Sequence, residues 1–225
     1  MQKINILGIG LTDYSLKESL GIVDGYVRHG GLNTVLYVTT PMLILAGKDE
    51  EEKNCIEKMD LTLCGDADIL RVAKIASAGR IYEVEKRVFL KEFLRRLVRG
   101  EKKVYLLDDS EEDLHLLKEQ LETYQEGILV GGYDILTENG RSMDEIINRI
   151  NDVAPTAIIS RMAHGKQEKC MVRSKELINA EVWLGISKDM ALGAGKESLR
   201  RKFVGQIYRI MFHRRINHFK DENKE

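Results

Sequence analysis

Short apolar runs alternate with longer runs of helical period along almost the whole chain, and that alternation leaves few folds open. The runs "INILGIGL" (4–11), "TVLYVT" (34–39), "LTLC" (61–64), "KVYLLD" (103–108), "GILVGG" (127–132), "TAIISRM" (156–162) and "EVWLGIS" (181–187) read as strands. Between them, 15–30, 66–77, 86–100, the stretch "SEEDLHLLKEQLETY", "SMDEIINRIND" and a segment from about Lys166 read as helices. Ser15 followed by Glu18 has the spacing of a helix-capping box. Strands that are apolar at consecutive positions are covered on both faces, and connections of helical length bring the chain back to the same end of a sheet. The expectation is an α/β fold, a Rossmann-like and mainly parallel sheet with helices on both faces. It would occupy 1–198, with a basic C-terminal helical appendage at 199–225.

Composition narrows the function classes. A net charge of −1 argues against a general nucleic-acid binder. Three cysteines, Cys55, Cys64 and Cys170, are odd in number and lack metal-ligand spacing, which points to a reducing, cytoplasmic setting. The N-terminus turns polar too soon for a signal peptide. No segment approaches the roughly 20 apolar residues of a membrane span.

In parallel α/β sheets, ligands bind beyond the carboxyl ends of the strands. The informative loops therefore follow residues 39, 64, 107, 132, 162 and 186. After the second run, "TTPM" places Thr40 where a hydroxyl could bond a phosphate or sugar; with Pro41 at the first helical position it reads equally as a helix cap. In "CGDADIL", Asp66 and Asp68 open a helix, either as a base or metal ligand or as capping groups favoured by the helix dipole. "DDS" (108–110) carries the same choice, and "GGYD" (131–134) allows close backbone approach or simply a turn. In "RMAHGKQEKC", Lys166, Gln167 and Glu168 arrive together, as a solvated first turn or as groups converging on a nucleotide. Two glycine motifs drop out. "GIG" (8–10) has Asp13 where a dinucleotide fingerprint needs its third Gly, and "GAGKES" (193–198) has Met190 where a P-loop needs its first. The five histidines have no zinc spacing and make no recognisable Ser/His/Asp set.

These elements in this order, with "KQEK" late in the chain, resemble the WecG/TagA/CpsF glycosyltransferases, glycosyltransferase family 26, over residues 3–215. "INILGIGLTDYSLKESL" resembles the family's first strand, threonine-containing turn and helix. "VTTPMLILAGKDEE" is similar to its strand, Thr-x-Asn turn and helix, with Thr40 in the Thr place and Met42 in the Asn place. "KMDLTLCGD" resembles "ADLVLPDG", which ends in the family's proposed catalytic Asp. Aligned without a gap, Gly65 takes that position and Asp66 follows it. "ILVGGYD" resembles the strand leading to a Gly-rich turn. "APTAIISRMAHGKQEKC" resembles "kPDillVGLGsPkQEkW", with Gln167 and Glu168 in register and Arg161 in the place of a glycine. "GISKDMALG" keeps Asp189 and Gly193, and "IYRI" resembles "WlyRL". The family's Gly-Gly is Asp108–Asp109 here, and its Arg-Ala-Pro motif is absent.

The resemblance implies an inverting transfer of a sugar such as N-acetylmannosamine from a UDP donor to a polyprenyl-diphosphate-linked acceptor. Such reactions build teichoic acid linkage units, enterobacterial common antigen and capsule. It makes Asp66 the candidate base, with Asp68 second, and Thr40, Gln167, Glu168 and Asp189 candidate donor contacts. Arg80, Arg161, Arg209 and Arg214 become candidates for the diphosphate, although each also reads as a solvated surface arginine. It calls for no metal and no cofactor. The alternative is a catalytically silent homologue that binds and stabilises an active glycosyltransferase; a homo-oligomer is also possible.

Residues 199–220 hold seven Lys or Arg and no Asp or Glu up to Lys220. Phe203, Ile207, Ile210 and Met211 fall at helical spacing, bordered by Arg200, Arg201, Arg209, Arg214 and Arg215. A helix of this kind can lie in an anionic membrane interface or dock on the protein's own core. The resemblance favours the membrane, on the inner face of the cytoplasmic membrane.

Overall fold

The computed structural model describes residues 2–137, 140–190, 192 and 199–222, with 199–206 and 220–222 described by their backbone alone. The "GAGKES" stretch, Gly193, the proposed boundary at 198 and the side chains of Arg200, Arg201 and Phe203 lie outside this description. The chain runs β1 (Gln2–Ile6), β2 (Ile9–Asp13), α1 (Leu16–His29), β3 (Asn33–Val38), α2 (Thr40–Ala46), α3 (Glu50–Glu57), β4 (Leu61–Cys64), α4 (Ala67–Val72), α5 (Ala78–Glu85) and α6 (Val88–Arg99). It continues through β5 (Lys103–Asp108), α7 (Glu111–Tyr124), β6 (Leu129–Ile135), α8 (Met143–Val153), β7 (Ala157–Arg161), α9 (Lys166–Ser174), β8 (Val182–Gly185) and α10 (Leu199–Glu222).

The first apolar run is a hairpin, not one strand. β1 and β2 pair antiparallel with Ile6 opposite Ile9. Leu7 (φ 54°) and Gly8 (φ 81°) are both left-handed, the backbone of a two-residue turn, and Asn5 Oδ1 accepts the Gly8 N–H at 3.0 Å. The apolar run passes straight through this turn, which is why the sequence conceals it. The helix expected over 66–77 also breaks. α4 stops at Val72, Lys74 turns left-handed (φ 59°), and Ser77 caps α5 by accepting the Arg80 N–H. At α1 the Ser15–Glu18 capping box forms as the spacing requires.

The other six strands make one sheet of order β4-β3-β8-β7-β5-β6, parallel throughout. The chain steps from β3 to one edge at β4. It then crosses to build β5 and the opposite edge β6, and returns to fill the middle with β7 and β8. Successive residues of the central strands point to opposite layers. Leu36, Val38, Ile158 and Trp183 face the layer holding the hairpin, α2, α3, α8 and α9. Val35, Tyr37, Ile159 and Leu184 face α1, α6 and α7. This is the α/β, Rossmann-like sheet covered on both faces that the alternation dictates.

α10 docks on the core by a face other than the stripe of Ile207, Ile210 and Met211. Phe212 and Ile216 are buried in the first layer, with Tyr208 and Phe219 packed beside them. Ile207, Ile210 and Met211 point outward, Ile210 at 69% exposure. The helix carries two apolar stripes, and the stripe with the aromatic rings buries more area against the core.

Candidate functional site

The strand order reverses between β3 and β5, so β8 and β7 carry the switch point, where α/β sheets form their crevice. A connected band of polar groups crosses the carboxyl ends of β4, β3, β8 and β7 there. It begins at Asp66, the residue preceding α4. Asp66 Oδ2 accepts the Thr40 N–H at 2.7 Å, so it caps the first turn of α2 from a neighbouring strand end. Thr39, the α2 N-cap residue, makes no side-chain cap of its own. Burial pushes the Asp66 carboxyl up, against the pull of the Thr40 hydrogen bond and of Arg87. The approach of the two strand ends is fixed by Gly65, whose N–H donates to Val38 O at 2.7 Å. A Cβ at Gly65 would lie 2.8 Å from that carbonyl oxygen and 2.7 Å from Thr39 Cγ2. Gly65, where the resemblance leads one to expect a carboxylate, therefore has no room for a side chain, and the carboxylate next to it is Asp66. Gly65→Ala should destabilise by about 1–3 kcal/mol, the usual cost of overpacking. Denaturant unfolding measures it, and a neutral result would show that the β3 and β4 ends can separate cheaply.

The band continues from Thr39, whose hydroxyl donates to Ser187 Oγ at 3.4 Å. Ser187 Oγ donates to Asp189 Oδ2 at 3.3 Å, and the same carboxylate oxygen meets His164 Nε2. Burial works against a charged imidazole, but Asp189, Glu168 and Glu52 together hold the His164 pKa above its ordinary value. Glu168 is fully buried, and its Oε2 accepts the Gly165 N–H at 2.6 Å, closing the first turn of α9. Burial raises the Glu168 carboxyl. Burial and the charge of Glu168 raise Glu52.

Gln167 is equally buried and looks inward. Its Oε1 accepts from Ser160 Oγ at 2.9 Å and from the Met162 N–H at 3.2 Å, while Trp183 Nε1 donates to the same serine at 2.9 Å. This hydrogen-bonded chain locks α9 onto β7 and β8. Gly185 leaves the space, since a Cβ there would stand 3.1 Å from Gln167 Nε2.

At β5 the end of the crevice is closed by ion pairs. Lys188 Nζ contacts Asp109, Asp113 Oδ2 at 2.8 Å and Asp108 Oδ1 at 3.4 Å. Asp108, Asp109 and Asp113 lie close enough together to ligate a metal ion, and it is the Lys188 ammonium that stands among them. Burial pushes Asp108 up to about 6. Lys188 draws Asp109 below the ordinary carboxylate range despite its burial.

The arginines expected at the diphosphate separate into four situations. Arg161 is 1% exposed and turned under α7, where it donates to Gln120 Oε1 at 2.6 Å and to Asp113 O at 3.1 Å. It stands 3.7 Å from the Asp108 carboxylate and does not reach the crevice surface. Arg80 pairs with Asp13 at 2.5 Å and with Glu83, lining a cleft beside Cys64 on the α1 side. Arg209 reaches from α10 to Asp68 Oδ2 at 3.2 Å, an oxygen away from the one Arg71 holds at 2.8 Å. Arg214 is exposed on α10. Asp66 and Thr40 are thus in direct contact; Glu168 and Asp189 meet around His164; Gln167 stands behind them.

Four contributors escaped sequence reasoning: His164, Ser187, Lys188 and Arg87. Arg87, left-handed at φ 53°, donates to the Gly65 and Val84 carbonyls and so supports the Asp66 loop from below. Only His164 had a visible signal, its place between a strand end and "GKQE". A family model described as the glycosyl transferase WecG/TagA/CpsF family matches residues 4–218. No curated protein matches the chain.

Proposed function

We propose that this chain, which belongs to the WecG/TagA/CpsF glycosyltransferase family, transfers a sugar of N-acetylmannosamine type from a UDP donor to a polyprenyl-diphosphate-linked acceptor, in the synthesis of cell-surface polysaccharide or teichoic acid. The observation that carries the reading is Asp66, a carboxyl held up in pKa beside the N-terminus of α2 at the switch-point crevice. In the proposed step Asp66 takes the proton of the acceptor hydroxyl, whose oxygen bonds to the sugar C1. The bond from C1 to the diphosphate breaks, and UDP leaves with the electron pair. Thr40, His164 and Asp189 line the donor's place, with Gln167 and Glu168 fixing the α9 turn behind it. Arg161, buried under α7, is set aside for the diphosphate; Arg80 and Arg209 would approach it by leaving Asp13 and Asp68, and Arg214 is exposed. The reading calls on no cofactor; the UDP-sugar is the substrate.

Calorimetry with UDP tests it. Saturable binding, with a rise in melting temperature, is the expected result. If saturating UDP changes neither, the second reading takes over, that of a catalytically silent homologue bound to an active glycosyltransferase. The observations on that side are Lys188 standing among Asp108, Asp109 and Asp113, and Met42 fully buried in the place of the family's Asn.

The same reading places the protein on the inner face of the cytoplasmic membrane. No helix among the described residues is long and apolar enough to cross a bilayer. The outward stripe Ile207, Ile210 and Met211 lies beside exposed Arg209, Arg214 and Arg215. Each basic residue near an anionic surface contributes roughly 1 kcal/mol. The full chain should sediment with phosphatidylserine vesicles at low salt and release as salt rises. Ile210→Asp should weaken binding several-fold, and equal binding by both forms would remove α10 from the interface.

A further inference from the structure

The "GGYD" stretch has no part in the crevice, yet it builds an unusual charge arrangement at the sheet edge. Tyr105 on β5 stands opposite Gly132 on β6, and a Cβ at Gly132 would come 2.5 Å from the tyrosine ring. The glycine lets the ring lie across β6, where its hydroxyl donates to Asp134 Oδ2 at 2.6 Å. Asp134 is almost fully buried, and it also receives two arginines. Arg141 Nη1 donates to Oδ1 at 2.8 Å and Arg149 Nε donates to Oδ2 at 2.8 Å. One buried negative charge thus holds two guanidinium groups, one on each of its oxygens.

Both arginines remain about half exposed, at 53% and 48%, and both line an open cleft. Their separation is set by the carboxylate they share, so the rotamer freedom that a surface arginine normally loses on binding is already spent. Guanidinium forks with spare N–H groups match the oxygens of a phosphate or carboxylate. Tyr133, 59% exposed, and Glu111 line the same cleft from the α7 side. An exposed aromatic ring suits the apolar face of a sugar, and Glu111 suits its hydroxyls. The two carboxylates and two arginines that line the cleft match in charge, which disfavours a bare anion.

We propose that this cleft is a second binding site, for an anionic saccharide. Its phosphate or carboxylate sits on Arg141 and Arg149, and its ring lies against Tyr133. None of these residues takes part in the Thr40–Asp66 or His164–Asp189 contacts, so the site does not depend on the crevice being active.

The experiment titrates the full chain with glucose 1-phosphate, glucuronate, glucose and inorganic phosphate, following the side-chain N–H resonances of Arg141 and Arg149 by NMR. Saturable shifts are expected with glucose 1-phosphate or glucuronate, and the stronger of the two identifies the anionic group. Arg141→Gln should weaken that binding by about tenfold or more, the worth of a charge-assisted hydrogen bond. Tyr133→Ala should weaken the sugar ligand several-fold and leave inorganic phosphate unchanged. Both side chains are exposed, and an unchanged melting temperature confirms that the variants fold. Absence of saturable shifts, equal binding by Arg141→Gln, or inorganic phosphate binding as tightly as the sugar ligands would overturn the proposal. UDP titrated into the same samples separates the two readings. Its binding should survive Arg141→Gln; loss there would make this cleft part of the donor site and end its claim to be a second one.

Discussion

Asp66→Asn should lower sugar transfer by about 10²- to 10⁴-fold, the contribution of a positioned general base, while UDP affinity stays within a few fold. The substitution is chosen to leave the architecture alone. An asparagine keeps an oxygen to accept the Thr40 N–H, so the cap on α2 survives. Asp66→Ala would remove that cap at about 1 kcal/mol and confuse the two effects. A base acts mainly in the transition state, so kcat should fall and the donor's dissociation constant should barely move. The pH profile carries the same information. Burial holds the Asp66 pKa above its ordinary value, so activity is present above that pKa and falls as pH drops through it. That acidic limb should vanish in Asp66→Asn along with the rate. Asp68→Asn, which removes the charge that pairs with Arg71 and Arg209, should cost far less. Retained turnover in Asp66→Asn would remove the assignment.

Phe212→Ala should destabilise the protein by about 3–5 kcal/mol, the cost of emptying a buried phenylalanine site. Phe212 is fully buried against the first core layer, far along the sequence from the strands it covers. Ile210→Ala, two residues away and on the outward stripe, should change stability by no more than about 0.5 kcal/mol. Denaturant unfolding of the two variants gives the comparison directly. A loss below about 1 kcal/mol for Phe212→Ala would mean that α10 does not dock by its aromatic face.

The sheet was legible in the sequence because parallel strands covered on both faces spell themselves as continuous apolar runs. The same rule hid the hairpin, where Ile4, Ile6, Ile9 and Leu11 alternate across a two-residue turn that happens to contain Leu7. On α10 the sequence reading picked out only one of two apolar stripes: Tyr208, Phe212 and Ile216, four residues apart, fit a helical period as Ile207, Ile210 and Met211 do. Only the contour of the core chooses between two such stripes. At the crevice, "TTPM", "CGD" and "HGKQE" could be found from strand ends alone. Their partnerships could not. Nothing local says that Asp66 caps α2 or that Gln167 faces Trp183 through Ser160. Arg161 was misleading for the same reason. A long basic side chain after a strand looks available, and only the packing of α7 shows that Gln120 and Asp113 have taken it.

The contact between Arg209 and Asp68 ties the appendage to the Asp66 carboxyl by thermodynamic reciprocity. Burial pushes the Asp66 carboxyl up and the charge of Asp68 adds a smaller push, part of which Arg209 offsets by pairing with Asp68 while α10 is docked. Lifting α10 would leave Asp68 with Arg71 alone and make Asp66 harder to ionise. The converse must hold with equal magnitude: each proton that leaves Asp66 tightens the grip of α10 on the sheet. A surface that competes for α10 would therefore read, and set, the protonation state of a group on a different strand end. Neither site needs to touch the other for one to report the occupancy of its neighbour.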